Sequence, residues 1–130
     1  VLGEDSRLAA NRIVAIVDDD EAVRAATVSL VRSLGHEARG FISAEEFLRH
    51  GGDDIDCLVT DVNMPGMDGL ELHRRLIERG HTYPVVFVTG FPDESLRERA
   101  MKEGAFCYIG KPFSGDELVT CLERALDRGR

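Results

Sequence analysis

Four short apolar runs punctuate the chain: "RIVAIV" (12–17), "CLVT" (57–60), "PVVFVT" (84–89) and "FCYI" (106–109). A stretch with helical spacing follows each of them. Runs this short and rich in β-branched residues suit strands buried on both faces, whereas a half-exposed strand would alternate apolar with polar residues. A fifth run, "HEARGF" (36–41), is more polar and suits an edge strand. Strands alternating with helices imply a mostly parallel sheet with helices on both faces. The sequence therefore predicts an α/β fold, a doubly wound (βα)5 unit.

The helical stretches carry their own start and stop signals. Val23, Thr27, Leu30, Val31 and Leu34 recur at helical spacing, Asp20 is placed to cap that helix, and Gly35 to end it. Glu21 falls in its first turn, where negative charge is favourable. Ser43 with Glu46 and Asp68 with Glu71 make capping-box patterns, and Gly80 closes the second of those helices. Pro92 suits the first turn of "PDESLRERAMKEG", which Gly104 ends, and Ser114 with Glu117 opens the last helix. For five strands the common order is 2-1-3-4-5, the flavodoxin-like arrangement, with ligands bound at the carboxyl ends of the strands. The 130 residues hold one such domain, over 12–128, behind a loose polar lead-in at 1–11. No DNA-binding domain fits within them.

Composition narrows the function. The formal net charge of −8 argues against unaided binding to nucleic acid or an anionic membrane. No apolar run approaches the length that crosses a bilayer. Cys57, Cys107 and Cys121 show no metal-ligand spacing and no disulfide framework, so they read as small hydrophobes in a reducing compartment, and the expected location is cytoplasmic. His36, His50, His73 and His81 are scattered and read as surface residues.

The strand ends carry the chemistry. Strand 1 runs into Asp18 and Asp19, strand 3 into Asp61, strand 4 into Thr89 and strand 5 into Lys111. A parallel sheet brings these five, 93 positions apart at the extremes, to one edge. Clustered carboxylates are costly unless a cation neutralises them, and a hard divalent ion such as Mg²⁺ takes such oxygen ligands together with a phosphate oxygen. Asp61 opens "DVNMPGMDG", where Pro65, Gly66 and Gly69 force an irregular turn that can aim the backbone carbonyl of Asn63 at the same ion. Lys111 adds a mobile positive charge and Thr89 a hydroxyl donor. Metal, amine and hydroxyl around a carboxylate make a receptor for a tetrahedral anion attached to that carboxylate, as in an aspartyl-phosphate.

"VDDDE", "VTDVNMPGMDG", "VTG" and "IGKPF", in this order, resemble the response-regulator receiver domain of two-component signalling. The resemblance covers about residues 12–127, and the "VTDVNMPGMDGLEL" phrase with "KPF" is most like receivers of the nitrogen-fixation transcription-regulator type. It implies a phospho-accepting switch whose chemistry is limited to taking and slowly losing phosphate. Asp61 would accept a phosphoryl group from a sensor histidine kinase. Asp18, Asp19, Asp61 and the carbonyl of Asn63 would hold Mg²⁺. Lys111 would bridge to the acceptor, Thr89 would move toward the phosphoryl oxygens, and Tyr108 would turn inward behind it. The Lys111–Pro112 peptide would be cis. Helix 4, strand 5 and helix 5 would form the face of a homodimer.

Other readings compete. Tyr108, taken without the resemblance, is a core aromatic. Gly110 leaves little to grip on strand 5 and weakens the case for dimerisation there. The small residues Ala22, Ala25 and Ser29 on helix 1 suit either close helix packing or docking of the kinase's helices. An enzyme is the main alternative, a Mg²⁺-dependent aspartyl phosphatase of the haloacid-dehalogenase type with Asp18 as nucleophile. "DDDEA" nearly matches its pattern, but Ala22 stands where Thr or Val belongs. A pseudo-receiver that binds without phosphorylation would lack one of the acids or Lys111, and all are present.

Overall fold

The computed structural model describes residues 12–111 and 113–128. The lead-in at 1–11 and the Lys111–Pro112 peptide lie outside them. Ten elements alternate without exception: β1 Ile13–Val17, α1 Glu21–Ser33, β2 Glu37–Phe41, α2 Ala44–His50, β3 Cys57–Asp61, α3 Gly69–Glu78, β4 Val85–Thr89, α4 Glu94–Lys102, β5 Cys107–Gly110 and α5 Gly115–Arg128. The strands form one parallel sheet in the order β2-β1-β3-β4-β5. The polar strand β2 is at its edge, as its composition predicts.

Alternating side chains on each strand feed two separate cores, because successive residues of a strand point to opposite faces. Ala15, Val17, Leu58, Val85 and Phe87 pack on one face with Phe47, Leu72, Leu76 and Tyr108. Val14, Ile16, Cys57, Val59, Val86, Val88 and Ile109 pack on the other with Val31, Leu118 and Leu122. The continuous apolar runs of β1, β3 and β4 follow from this double coverage. Cys57 is buried, and Cys107 and Cys121 pack at the margin of the second core as free thiols.

Two sequence expectations are corrected and a third, on Gly110, is extended. Asp93, not Pro92, sets the start of α4: its carboxylate accepts from the N–H groups of Ser95 and Leu96, and Pro92 lies just outside. His73 is not a surface residue but is 5% exposed, on the buried stripe of α3 with Leu72 and Leu76. Gly110 does more than leave strand 5 bare, since a Cβ there would sit 3.3 Å from Pro92, so the missing side chain lets the β4–α4 loop close over β5. Among the described residues no helix is long and apolar enough to cross a membrane.

Candidate functional site: an acidic edge bridged by a lysine

Each functional side chain is set by the last residues of a strand. Asp61 ends β3 and is 6% exposed. The Val62 N–H continues the ladder by donating to the Val88 carbonyl at 2.9 Å, and the chain then turns so that the Gly69 N–H donates to Val62 O at 2.9 Å. A Cβ on Gly69 would clash with the backbone carbonyl of Asp61, so only glycine lets α3 start this close to the acid.

Asp18 follows β1 and is 2% exposed. Its Oδ1 accepts from the Asp20 N–H at 2.9 Å, its own N–H donates to Phe41 O at 3.1 Å, and the Arg24 guanidinium donates to its backbone carbonyl at 2.7 Å. Asp19 is exposed. Asp20 turns away from the edge, and its Oδ1 accepts from the Val23 N–H at 3.1 Å as the cap of α1. The three aspartates of the "DDDE" run are thus two acids facing the sheet edge and one helix cap, with Glu21 in the first turn of α1.

Asp18, Asp19 and Asp61 each place a carboxylate oxygen within 4.8 Å of the others. All three donors are carboxylate oxygens, two on buried side chains and one on a side chain open to solvent, and this is the donor set a hard divalent cation takes. Lys111, just past β5, reaches the same point. Its Nζ lies 3.1 Å from Asp18 Oδ2 and 3.2 Å from Asp61 Oδ2, and its N–H donates to Thr89 O at 2.6 Å. Burial raises the pKa of Asp61 above the ordinary carboxylate range, and Asp18 adds to the rise against the pull of Lys111. Burial works against the charge of Lys111, but Asp18 and Asp61 outweigh it and hold the ammonium above its usual pKa. Lys111 therefore bridges the two acids as an ammonium at neutral pH.

Thr89, fully buried at the end of β4, is held from two sides. Its Oγ1 accepts from Asn63 Nδ2 and from the Phe91 N–H, both at 3.0 Å. The Asn63 N–H donates to Asp61 Oδ1 at 3.2 Å. Tyr108 is 8% exposed within the first core, and its buried hydroxyl has no hydrogen-bond partner among the described residues. All the strand-end residues expected from sequence therefore meet at one edge. Sequence reasoning missed two contacts: the Asn63 carboxamide on Thr89 and the Arg24 guanidinium on Asp18. A long basic side chain in a helix looks solvent-directed in sequence, so Arg24 carried no signal.

Beside this edge runs an apolar groove of about 490 Å³ formed by Val23, Ala26, Thr27 and Leu30 of α1 with Lys111, Phe113 and Gly115. The small residues Ala22, Ala25 and Ser29 are exposed on the same helix.

Residues 14–123 match the family described as the response regulator receiver domain. The chain is 41% identical over 115 residues to the response regulator protein TmoT of Ectopseudomonas mendocina, covering 88% of this chain and 52% of that protein. It is 40% identical over 116 residues to the transcriptional regulatory protein FixJ of Azorhizobium caulinodans, covering 88% and 55%. The chain thus spans about half the length of these curated relatives. Among solved structures, that of FixJ-N superposes with a TM-score of 0.81 at 36% identity over 90% of this chain and 94% of that one. The response regulator StyR gives 0.84 at 38% identity, over 92% and 61%. These likenesses leave the aspartyl-phosphatase reading, with Asp18 as nucleophile, without support. With the sheet order, the acidic edge and the family match in agreement, the chain belongs to the response regulator receiver domains, the phospho-accepting switches of two-component signalling.

Proposed function

We propose that Asp61 is the phosphoacceptor and that Asp18, Asp19 and the Asn63 carbonyl join it in holding Mg²⁺. The observation that carries this reading is the Lys111 ammonium bridging Asp18 and Asp61, the two buried acids of the edge. An Asp61 carboxylate oxygen attacks the phosphorus of a kinase phosphohistidine whose other ring nitrogen carries a proton; the P–O bond forms, the P–N electron pair returns to the ring, and neutral imidazole leaves. When bound, Mg²⁺ supplies positive charge against the equatorial phosphoryl oxygens. Lys111 screens the approach of one anion to another, then exchanges its Asp61 contact for a phosphoryl oxygen. Thr89 donates its hydroxyl proton to another phosphoryl oxygen, and Tyr108 follows it inward.

The groove along α1 is the proposed seat for the kinase's helices. It is apolar, borders Lys111, and is flanked by small exposed residues that let another helix approach closely. The proposed homodimer face is α4, β5 and α5, supported by the exposed apolar side chains of Phe91 and Met101 at its α4 side. Control of transcription is the proposed output, by analogy with FixJ, which is named a transcriptional regulatory protein.

Incubation with acetyl phosphate and Mg²⁺, followed by intact mass, tests the site. The protein should gain one phosphoryl group, and Asp61→Asn should gain none. Labelling that survives Asp61→Asn and vanishes in Asp18→Asn would overturn the assignment.

A further inference from the structure

We propose that the Asn63 carboxamide is a latch on Thr89: it holds the hydroxyl in its unphosphorylated position and lets go when Asp61 is modified. The inference rests on the proposed acceptor and goes beyond it, since it gives the Asn63 side chain a role separate from any metal contact of its backbone.

The geometry supplies both the hold and the trigger. A threonine hydroxyl oxygen has two lone pairs, and here both are taken, by Asn63 Nδ2 and the Phe91 N–H at 3.0 Å each. To carry its hydroxyl to a phosphoryl oxygen, Thr89 must give up at least the donor that sits on another loop. Phe91 is two residues from Thr89 and moves with it. Asn63 belongs to the loop that follows Asp61 and is tied to the acceptor itself, because its N–H donates to Asp61 Oδ1 at 3.2 Å. A group added to either oxygen of that carboxylate removes its negative charge and weakens the oxygen that anchors Asn63 as an acceptor. One short chain, Asp61 to Asn63 to Thr89, therefore links acceptor chemistry to the position of the buried hydroxyl. The Asn63 residue is exposed, so its carboxamide is not required to fill the core.

Loss of one net hydrogen bond from the unswitched form corresponds to about a five-fold shift in a two-state equilibrium. Binding of beryllofluoride with Mg²⁺, a stable mimic of the phosphorylated aspartate, reads that equilibrium without a kinase. Asn63→Ala keeps the backbone carbonyl and removes only the latch, so it should bind beryllofluoride about five-fold more tightly than the parent. In a Thr89→Ala background the same substitution should change nothing, since no hydroxyl remains to be held. The γ-methyl NMR signal of Thr89 in the free Asn63→Ala protein should also move toward its beryllofluoride-bound position. Equal affinity in parent and Asn63→Ala proteins, or a tightening that persists without Thr89, overturns the latch and leaves the acceptor assignment standing. A parent protein that fails to bind beryllofluoride overturns the acceptor assignment and the latch with it.

Discussion

Lys111 Nζ lies 3.2 Å from Asp61 Oδ2, although the two residues are 50 positions apart, and the same ammonium holds Asp18 at 3.1 Å. The lysine is the only side-chain cation within salt-bridge distance of these two acids among the described residues. Removing one member of a buried charge cluster leaves the others uncompensated, which costs more than the cluster contributes when whole. The Lys111→Met substitution keeps the length of the side chain and removes its charge. Without divalent cations it should lower stability by about 1–3 kcal/mol, a discounted value because the lysine is partly solvated. Saturating Mg²⁺ should restore part of the loss. Urea unfolding with and without Mg²⁺ measures both, and equal stability in all four samples would show that the acids do not need the ammonium.

Asp61 makes the complementary prediction. Its pKa is raised in the fold, so the native state takes up its proton more readily than the unfolded chain. Ionisation of Asp61 therefore subtracts stability at neutral pH, and the penalty disappears as pH falls through the native pKa. Asp61→Asn should resist urea better than the parent at pH 7, with the gap closing toward pH 4, while Lys111 keeps its bond to Asp18. Mg²⁺ should stabilise the parent by about 1.4 kcal/mol at ten times its dissociation constant. The gain should be smaller in Asp61→Asn, which lacks one carboxylate of the set. A larger Mg²⁺ response in Asp61→Asn than in the parent would remove Asp61 from the metal site.

Sequence showed most of this edge because the information lies in the backbone. Apolar runs mark the strands and a parallel sheet forces their carboxyl ends together, so Asp18 and Asp61, just after their runs, Thr89, the last residue of its own, and Lys111, two beyond, become site residues by topology. What it hid were side-chain directions. Nothing in "DVNMPGMDG" says that the Asn63 carboxamide bends toward Thr89, 26 positions later, rather than to water. His73 is different, because its burial was legible. Gly69, Leu72, His73 and Leu76 recur at i, i+3, i+4 and i+7, one face of a helix, and all four are buried. Reading histidine as polar by type overrode a period that placed it inside.

The separation of the helix cap from the proposed ligands within residues 18–20 can be tested directly. Asp20 contributes its Oδ1 to the Val23 N–H and stands outside the group of acids that meet at the edge. Asp20→Ala should lower stability by about 1 kcal/mol, the usual cost of losing an N-cap, and leave Mg²⁺ affinity within about two-fold of the parent. Asp19→Ala should do the reverse, because Asp19 is exposed and belongs to the acidic group. Isothermal titration with Mg²⁺ alongside thermal unfolding separates the two. A Mg²⁺ site lost in Asp20→Ala would make Asp20 a ligand after all.

His73 predicts how the fold fails in acid. Its ring packs edge-on to Phe87 with centroids 5.5 Å apart, and its Nδ1 is buried without a hydrogen-bond partner among the described residues. Burial lowers its pKa, and the nearby Glu103 carboxylate offsets this only in part, because Glu103 is itself engaged by Arg74 and Arg99. With a folded pKa below the unfolded value of about 6.5, the unfolded chain binds the proton first. Stability from this group is therefore complete above pH 6.5, falls as pH drops toward the folded pKa, and levels off below it. His36 shifts in the same direction, mainly through burial and Arg12, and adds its own share. In His73→Leu the acid-side loss between pH 7 and pH 5 should shrink without vanishing, since His36 remains. At pH 8 the variant should lie within about 1 kcal/mol of the parent, because an unpaired buried nitrogen is exchanged for an apolar side chain of similar reach. Urea midpoints at several pH values decide the matter. Parallel pH profiles for parent and variant would show that His73 takes up its proton as easily inside the fold as outside it.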